Sequence, residues 1–211
     1  MKKALYLYFV VGAALVGLQG CSNEDDLILP LPGDEVQQPF FLTGQSSGTD
    51  VFFSNIVPPE TIFVDINHTT TTPLDVNNDL IQDYEIISFQ NNQGNQEFRG
   101  VEIKQLADST WVADDFDSEI RVFSANDTLW VNAESWTWVT SPDKDKMPLA
   151  ILLRDGQIDE EWGKWNGEEN KYVGLKLTVG GEDYLGWIEL TVADYDNYII
   201  FNFASKKLSP L

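Results

Sequence analysis

Cysteine and histidine are almost missing from this chain: its 211 residues hold one of each, Cys21 and His68. A zinc centre built on several Cys or His ligands is excluded, and a Ser-His-Asp triad would depend on His68 alone. No disulfide can form within the chain. Basic residues are scarce as well, 13 Lys and Arg against 34 Asp and Glu, for a formal net charge of −21. Nucleic acid, whose phosphates are held by Lys and Arg, is not a partner for such a composition. Cations, neutral ligands such as glycans, and basic protein surfaces remain compatible with it, and the charge also serves plain solubility.

The single cysteine closes a distinctive N-terminus. Lys2 and Lys3 precede an apolar run from Ala4 to Leu18, which ends in Leu18-Gln19-Gly20-Cys21. A positive start, a short apolar run and small residues before a cleavage point are the order of a secretory leader. A membrane span needs roughly 20 apolar residues. Leu-x-Gly-Cys resembles the lipobox of bacterial lipoproteins. The resemblance implies that residues 1–20 are a signal peptide and that Cys21 becomes a lipid-bearing N-terminus carrying acyl chains such as palmitate. More than one chain is needed for stable anchoring. A secretory leader with an incidental cysteine is the alternative.

Ser22 after the cysteine goes, in lipoproteins of this kind, with outer-membrane sorting. The run Ser22-Asn23-Glu24-Asp25-Asp26 reads either as a cell-surface export signal of the Bacteroidetes type or as a solvated acidic tether. Losing Lys2 and Lys3 lowers the basic count to 11 and takes the net charge to −23. Anionic headgroups would repel such a chain, so the lipid must supply the membrane affinity.

Residues 21–48 carry Pro, Gly and acidic text without a period and read as a flexible tether. Residues 49–211 read as one domain, long enough to bury a core without disulfides. About ten short runs rich in Val, Ile, Phe, Trp and Tyr follow, separated by Gly, Asn, Asp and Pro clusters. They include 51–53, 61–66, 84–89, 98–103, 120–123, 128–131, 149–153, 172–179, 184–192 and 197–204. Val179-Gly180-Gly181-Glu182 between two of them signals a hairpin. Residues 157–168 carry a weak helical signal, opposed by Gly163 and Gly167. The expected fold is an antiparallel β-sandwich, with jelly-roll-like and immunoglobulin-like topologies both open.

Two constellations bear on chemistry. Asp75, Asn77, Asp79 and Asp83, with the Ile81 carbonyl between, follow the ligand order of a calcium loop. Leu80 stands where Gly normally permits the turn, and Ile86 where a closing Glu would sit. The same text is also the composition of an Asx turn. Carboxylates cluster at Asp114, Asp115, Asp117 and Glu119 beside Trp111, and at Asp155, Asp159, Glu160 and Glu161 beside Trp162 and Trp165. Paired carboxylates at a suitable separation would suit a glycan hydrolase.

Tyr172-Val173-Gly174-Leu175-Lys176-Leu177, then Gly180-Gly181-Glu182-Asp183-Tyr184-Leu185-Gly186-Trp187-Ile188-Glu189-Leu190, is similar to a pattern in many PEP-CTERM-type bacterial surface proteins. These also carry an Asp/Asn-rich segment after an apolar strand, as Val64-Asp65-Ile66 and Asp75 to Asp83 do here. The likeness spans residues 61–90 and 165–204 and implies a shared β fold, without an activity to carry over. Asp183 stands where the pattern has His, and Leu185 is inserted before Gly186-Trp187.

Of the seven tryptophans, Trp130, Trp136, Trp138 and Trp187 lie in or beside strand text and read as core, Trp187 as a plug of the sandwich. Trp162 and Trp165 sit in acidic loop text and are the candidate ligand platform, since an exposed indole stacks on sugar rings or docks a partner. His68 reads as an ordinary residue of a Thr-rich loop. Asp108-Ser109-Thr110 and Asp127-Thr128-Leu129 resemble short O-glycosylation sites of Bacteroidetes. The expected function is a lipid-anchored, non-catalytic binding module for a glycan or a surface protein, with calcium as a candidate loop-ordering ion. A structural surface protein and a carboxylate-based hydrolase are the alternatives.

Overall fold

The computed structural model describes residues 38–140 and 146–209; the leader, Cys21 and the acidic run after it lie outside the described residues. In chain order the strands are β1 (Phe40–Leu42), β2 (Val51–Phe63), β3 (His68–Leu74), β4 (Tyr84–Gln93), β5 (Gln96–Gln105) and β6 (Thr110–Asp114). They continue as β7 (Thr128–Trp130), β8 (Thr137–Val139), β9 (Lys146–Asp155), β10 (Ile158–Trp162), β11 (Glu168–Val179), β12 (Glu182–Asp194) and β13 (Asn197–Lys207). Every pairing is antiparallel. The described residues contain no helix long and apolar enough to cross a membrane.

The strands form a five-stranded sheet in the order β10-β9-β5-β4-β3 and a six-stranded sheet in the order β2-β13-β12-β11-β6-β8. The expected sandwich is therefore present. Alternation along the strands supplies its core: Ile86 of β4 lies opposite Ile103 of β5, and both are buried with Leu175, Ile188, Tyr198 and Ile200 of the other sheet. Two tyrosines tie the sheets together. Tyr84 donates its hydroxyl to the carbonyls of Lys176 (2.8 Å) and Trp111 (3.0 Å), and the Tyr198 hydroxyl meets Thr72 Oγ1 at 2.8 Å. A buried phenol needs such a partner, so each ring fills the core while its tip fixes the spacing between sheets.

A third layer lies on the far side of the six-stranded sheet. β1 pairs with β7, and Phe41 and Leu129 pack with Phe123, Trp136, Tyr172, Leu185 and Trp187 in a second apolar cluster. Gly174 permits this approach, because a side chain there would collide with Leu129 and Phe123. The six-stranded sheet is thus apolar on both faces, which is why β11 to β13 read as nearly unbroken hydrophobic text.

Several expectations need correction. The folded body takes in Phe40–Leu42, within the stretch read as tether, because Phe41 is fully buried against the six-stranded sheet. Trp187 is core but does not plug the sandwich; it belongs to the second cluster, edge-on to Tyr172 with ring centroids 5.3 Å apart. Residues 157–168 form no helix. A turn at Gly156 (φ 67°) opens the β9–β10 hairpin, and Gly163 (φ 82°) and Gly167 (φ 79°) hold conformations that a helix does not contain. Thr69 to Thr72 form strand rather than loop, as β-branched residues favour. Residues 120–123 make only isolated bridges, since Ile120 enters the first core and Phe123 the second, so the chain crosses the sheet margin instead of following it. The hairpin at Gly180-Gly181 is present, with both glycines at positive φ (61° and 83°) as a tight turn of this kind requires.

Candidate functional site

The loop between β3 and β4 holds Asp75, Asn77, Asp79, Ile81 and Asp83. Asp75 folds back on it, accepting the backbone N–H of Asp79 (3.1 Å) and of Leu80 (2.8 Å). Asn77 Oδ1 accepts the Asp79 N–H as well (3.1 Å), and Asp79 accepts that of Ile81 (2.8 Å). Leu80 adopts the left-handed conformation (φ 72°) that glycine usually supplies, and projects its side chain into solvent, 91% exposed. Asp83 is placed differently. It is buried and accepts the Val76 N–H at 2.8 Å. Burial pushes its carboxyl up to about 6, the charges of Asp79 and Asp75 add to this, and the Val76 bond opposes it. Among the described residues no three Asp, Glu, His or Cys side chains are arranged to hold a metal ion. The loop is a chain of Asx turns built on backbone N–H bonds to Asp75, Asn77 and Asp79.

The two candidate platform tryptophans part company. Trp165 is fully buried, donates its indole N–H to the Ile120 carbonyl at 3.1 Å, and belongs to the first core. Trp162 ends β10 and is 41% exposed. Gly163 separates them: its backbone passes so close to the Leu149 carbonyl that no side chain fits, and its positive φ turns the chain from the outer face of the sheet into the core.

Register shows what surrounds Trp162. It lies opposite Ile151, which lies opposite Gly100, which lies opposite Phe89. Directly paired residues share a face, so these four form one row across the outer face of the five-stranded sheet. The next row holds Asn91, Phe98, Leu153 and Glu160, and the one beyond holds Gln93, Gln96, Asp155 and Ile158. Phe89 leans over the bare backbone of Gly100 and meets Phe98 at 4.9 Å between centroids. Asn91, Gln93, Gln96, Phe98 and Leu153 line a shallow depression of about 520 Å³. Sequence reading missed all of it except Trp162. The amide-rich turn text and the apolar residues of β5 and β9 were each legible, but their meeting on one face depends on register.

Half of the clustered carboxylates are held in ion pairs. Lys164 lies 2.8 Å from Glu119, 3.0 Å from Asp117 and 3.6 Å from Asp115. Its bonds to Glu119 and Asp117 hold its ammonium well above the usual lysine range. Arg154 grips Asp159 at 3.0 Å. Asp114 is buried apart from these, its carboxyl raised by desolvation. His68 is exposed at the start of β3, its Nδ1 3.1 Å from the Ile66 carbonyl. Gly44-Gln45-Ser46-Ser47-Gly48 has the spacing of a serine nucleophile elbow, which reading it as tether passes over. The structure puts it in an exposed turn between two strands, without the helix that such an elbow opens.

No protein-family description, curated protein or solved structure matches this chain.

Proposed function

We propose that the chain is a bacterial lipoprotein, carried on a membrane by acylated Cys21 and displaying a non-catalytic β-sandwich that binds a glycan or a surface protein. Leu18-Gln19-Gly20-Cys21 after the apolar run supports the anchor, and Ser22 supports the outer membrane. The observation that carries binding is the outer face of the five-stranded sheet, where Trp162 and Phe98 stay exposed on one face with Asn91 and Gln93; Phe40, Phe63, Phe116 and Trp130 are exposed elsewhere. Aromatic rings exposed beside hydrogen-bonding groups on one sheet face are the kind of surface that stacks on a ligand or docks a partner. The ion pairs that hold Asp115, Asp117, Glu119 and Asp159 speak for binding rather than hydrolysis. Labelling cells with an alkyne analogue of palmitate tests the anchor. The expected result is label on the wild-type chain and none on Cys21→Ala, with the variant released from the membrane fraction. A wild-type chain that takes no label and fractionates as soluble would sink it.

Calcium uptake by the loop at Asp75 to Asp83 is a separate proposal, supported by ligand order. The backbone bonds of Asp75, Asp79 and Asp83 use only part of each carboxylate's acceptor capacity, so they leave room for an ion as well as for the turn. A calorimetric calcium titration, with Asp79→Ala as control, decides between them: heat that the substitution abolishes establishes the metal loop, and no heat leaves the turn.

A further inference from the structure

The outer face of the five-stranded sheet combines exposed aromatic rings with neutral hydrogen-bonding groups. Most charged groups around it are engaged; Glu160, in the row of Phe98 and Leu153, is the exception. Lys146 pairs with Glu102 and Lys104 with Glu85, Asp155 accepts from Gln96 at 3.0 Å, and Arg154 holds Asp159 and Glu97. What the depression offers a ligand is therefore the exposed amides of Asn91 and Gln93 beside Phe98 and Leu153. Amides both donate and accept, which matches hydroxyl groups and gives no preference for ions. The strongly acidic chain would repel polyanions.

We propose that this face binds a neutral oligosaccharide, with sugar rings stacked on Trp162 and Phe98 and their hydroxyls bonded by Asn91 and Gln93. The inference rests on the binding-module reading and names its ligand class. Apolar area argues for sugar over protein. Ile151 and Phe89 are shielded by their neighbours, and the two rings at about 40% exposure leave on the order of 200 Å² of aromatic surface. A stable protein interface buries about 800 Å² per partner. Spacing argues for an oligomer. The two aromatics stand two strands and two residues apart, a separation of about 12 Å between backbones from strand spacing and rise. One sugar ring does not bridge that distance, and a short linked chain does.

The test is affinity electrophoresis of residues 22–211 in gels containing neutral polysaccharides (β-glucan, xylan, galactomannan, dextran), with polygalacturonate as the anionic control. The expected result is retardation by at least one neutral polymer, none by polygalacturonate, and about tenfold weaker binding in Trp162→Ala and in Phe98→Ala, as loss of a stacked ring implies. Both residues are exposed, and unchanged melting temperatures would show that the variants fold. No retardation by any neutral polymer, or retardation indifferent to both substitutions, overturns the proposal. A photo-crosslinking residue in place of Ile158 on intact cells separates the two readings. A protein adduct without polysaccharide binding overturns the glycan and leaves the binding module standing, whereas neither adduct nor retardation removes both.

Discussion

The two outer faces of the sandwich are treated in opposite ways. The six-stranded sheet presents Tyr172, Leu185 and Trp187 outward, and the chain covers them with its own β1–β7 ribbon, sealing Phe41 and Leu129 over them. The five-stranded sheet presents Phe89, Phe98, Ile151 and Trp162 outward, and none of the described strands lies over them. An apolar face covered by its own chain contributes to stability. One left open is available to a ligand, and its exposed residues contribute little to the fold. The same residue types do different work according to what lies above them.

The largest expected effect breaks the covered side. Phe41→Ala should remove about 3–5 kcal/mol of unfolding free energy, as for other fully buried aromatics, measured by urea denaturation. A loss below about 1 kcal/mol would mean that the ribbon only rests on the sheet. Next comes the hinge that sends neighbouring tryptophans to opposite sides. Gly163→Ala forces a side chain into a left-handed position against the Leu149 carbonyl and should cost about 1–3 kcal/mol. It should also raise the quenching of Trp165 fluorescence by acrylamide, and unchanged quenching would show that the turn is not what buries that indole.

The rim of the inner core responds to pH through Asp83. Its carboxyl in the fold, at about 6, lies above the ordinary 3.8, so folding favours the protonated form. That contribution is complete below about pH 3.8 and is lost as pH rises through about 6. Asp83→Asn keeps an acceptor for Val76 and cannot ionise. The variant should exceed wild type in stability at pH 7.5 by on the order of 2 kcal/mol, with the difference shrinking towards pH 4. Glu102 and Asp114 are also raised by burial, so the wild-type minus variant difference isolates Asp83. A difference flat with pH would place Asp83 in water. The smallest effect belongs to the open face: Trp162→Ala should alter unfolding free energy by no more than about 0.5 kcal/mol. A larger loss would make the open face structural, like the covered one.

Local chemistry was legible in residue order. Alternating β-branched and aromatic runs indicated an antiparallel sandwich, and Gly180-Gly181 indicated its hairpin, because turn conformation depends on the residues in the turn. β3 was missed because Thr69 to Thr72 are polar enough to read as loop, though their branching suits a strand. β1 was missed because three residues carry no period. At the candidate sites, adjacency in sequence misled. Trp162 and Trp165 appeared as one platform, and only one is exposed. The acidic runs at 114–119 and 155–161 appeared free, and Lys164 gathers Asp115, Asp117 and Glu119 while Arg154 takes Asp159.

By itself, the order of residues determined the all-β class, the tight turns and the lack of a disulfide within the chain, because these depend on composition and on contacts within a few residues. Tertiary structure decided which aromatic faces are covered and which stay open, that Asp83 is buried while Asp75 and Asp79 stay at the surface, and that Asn91, Phe98 and Trp162 share one face. Those outcomes depend on strand register, in which a shift of one residue moves a side chain to the opposite side of the sheet.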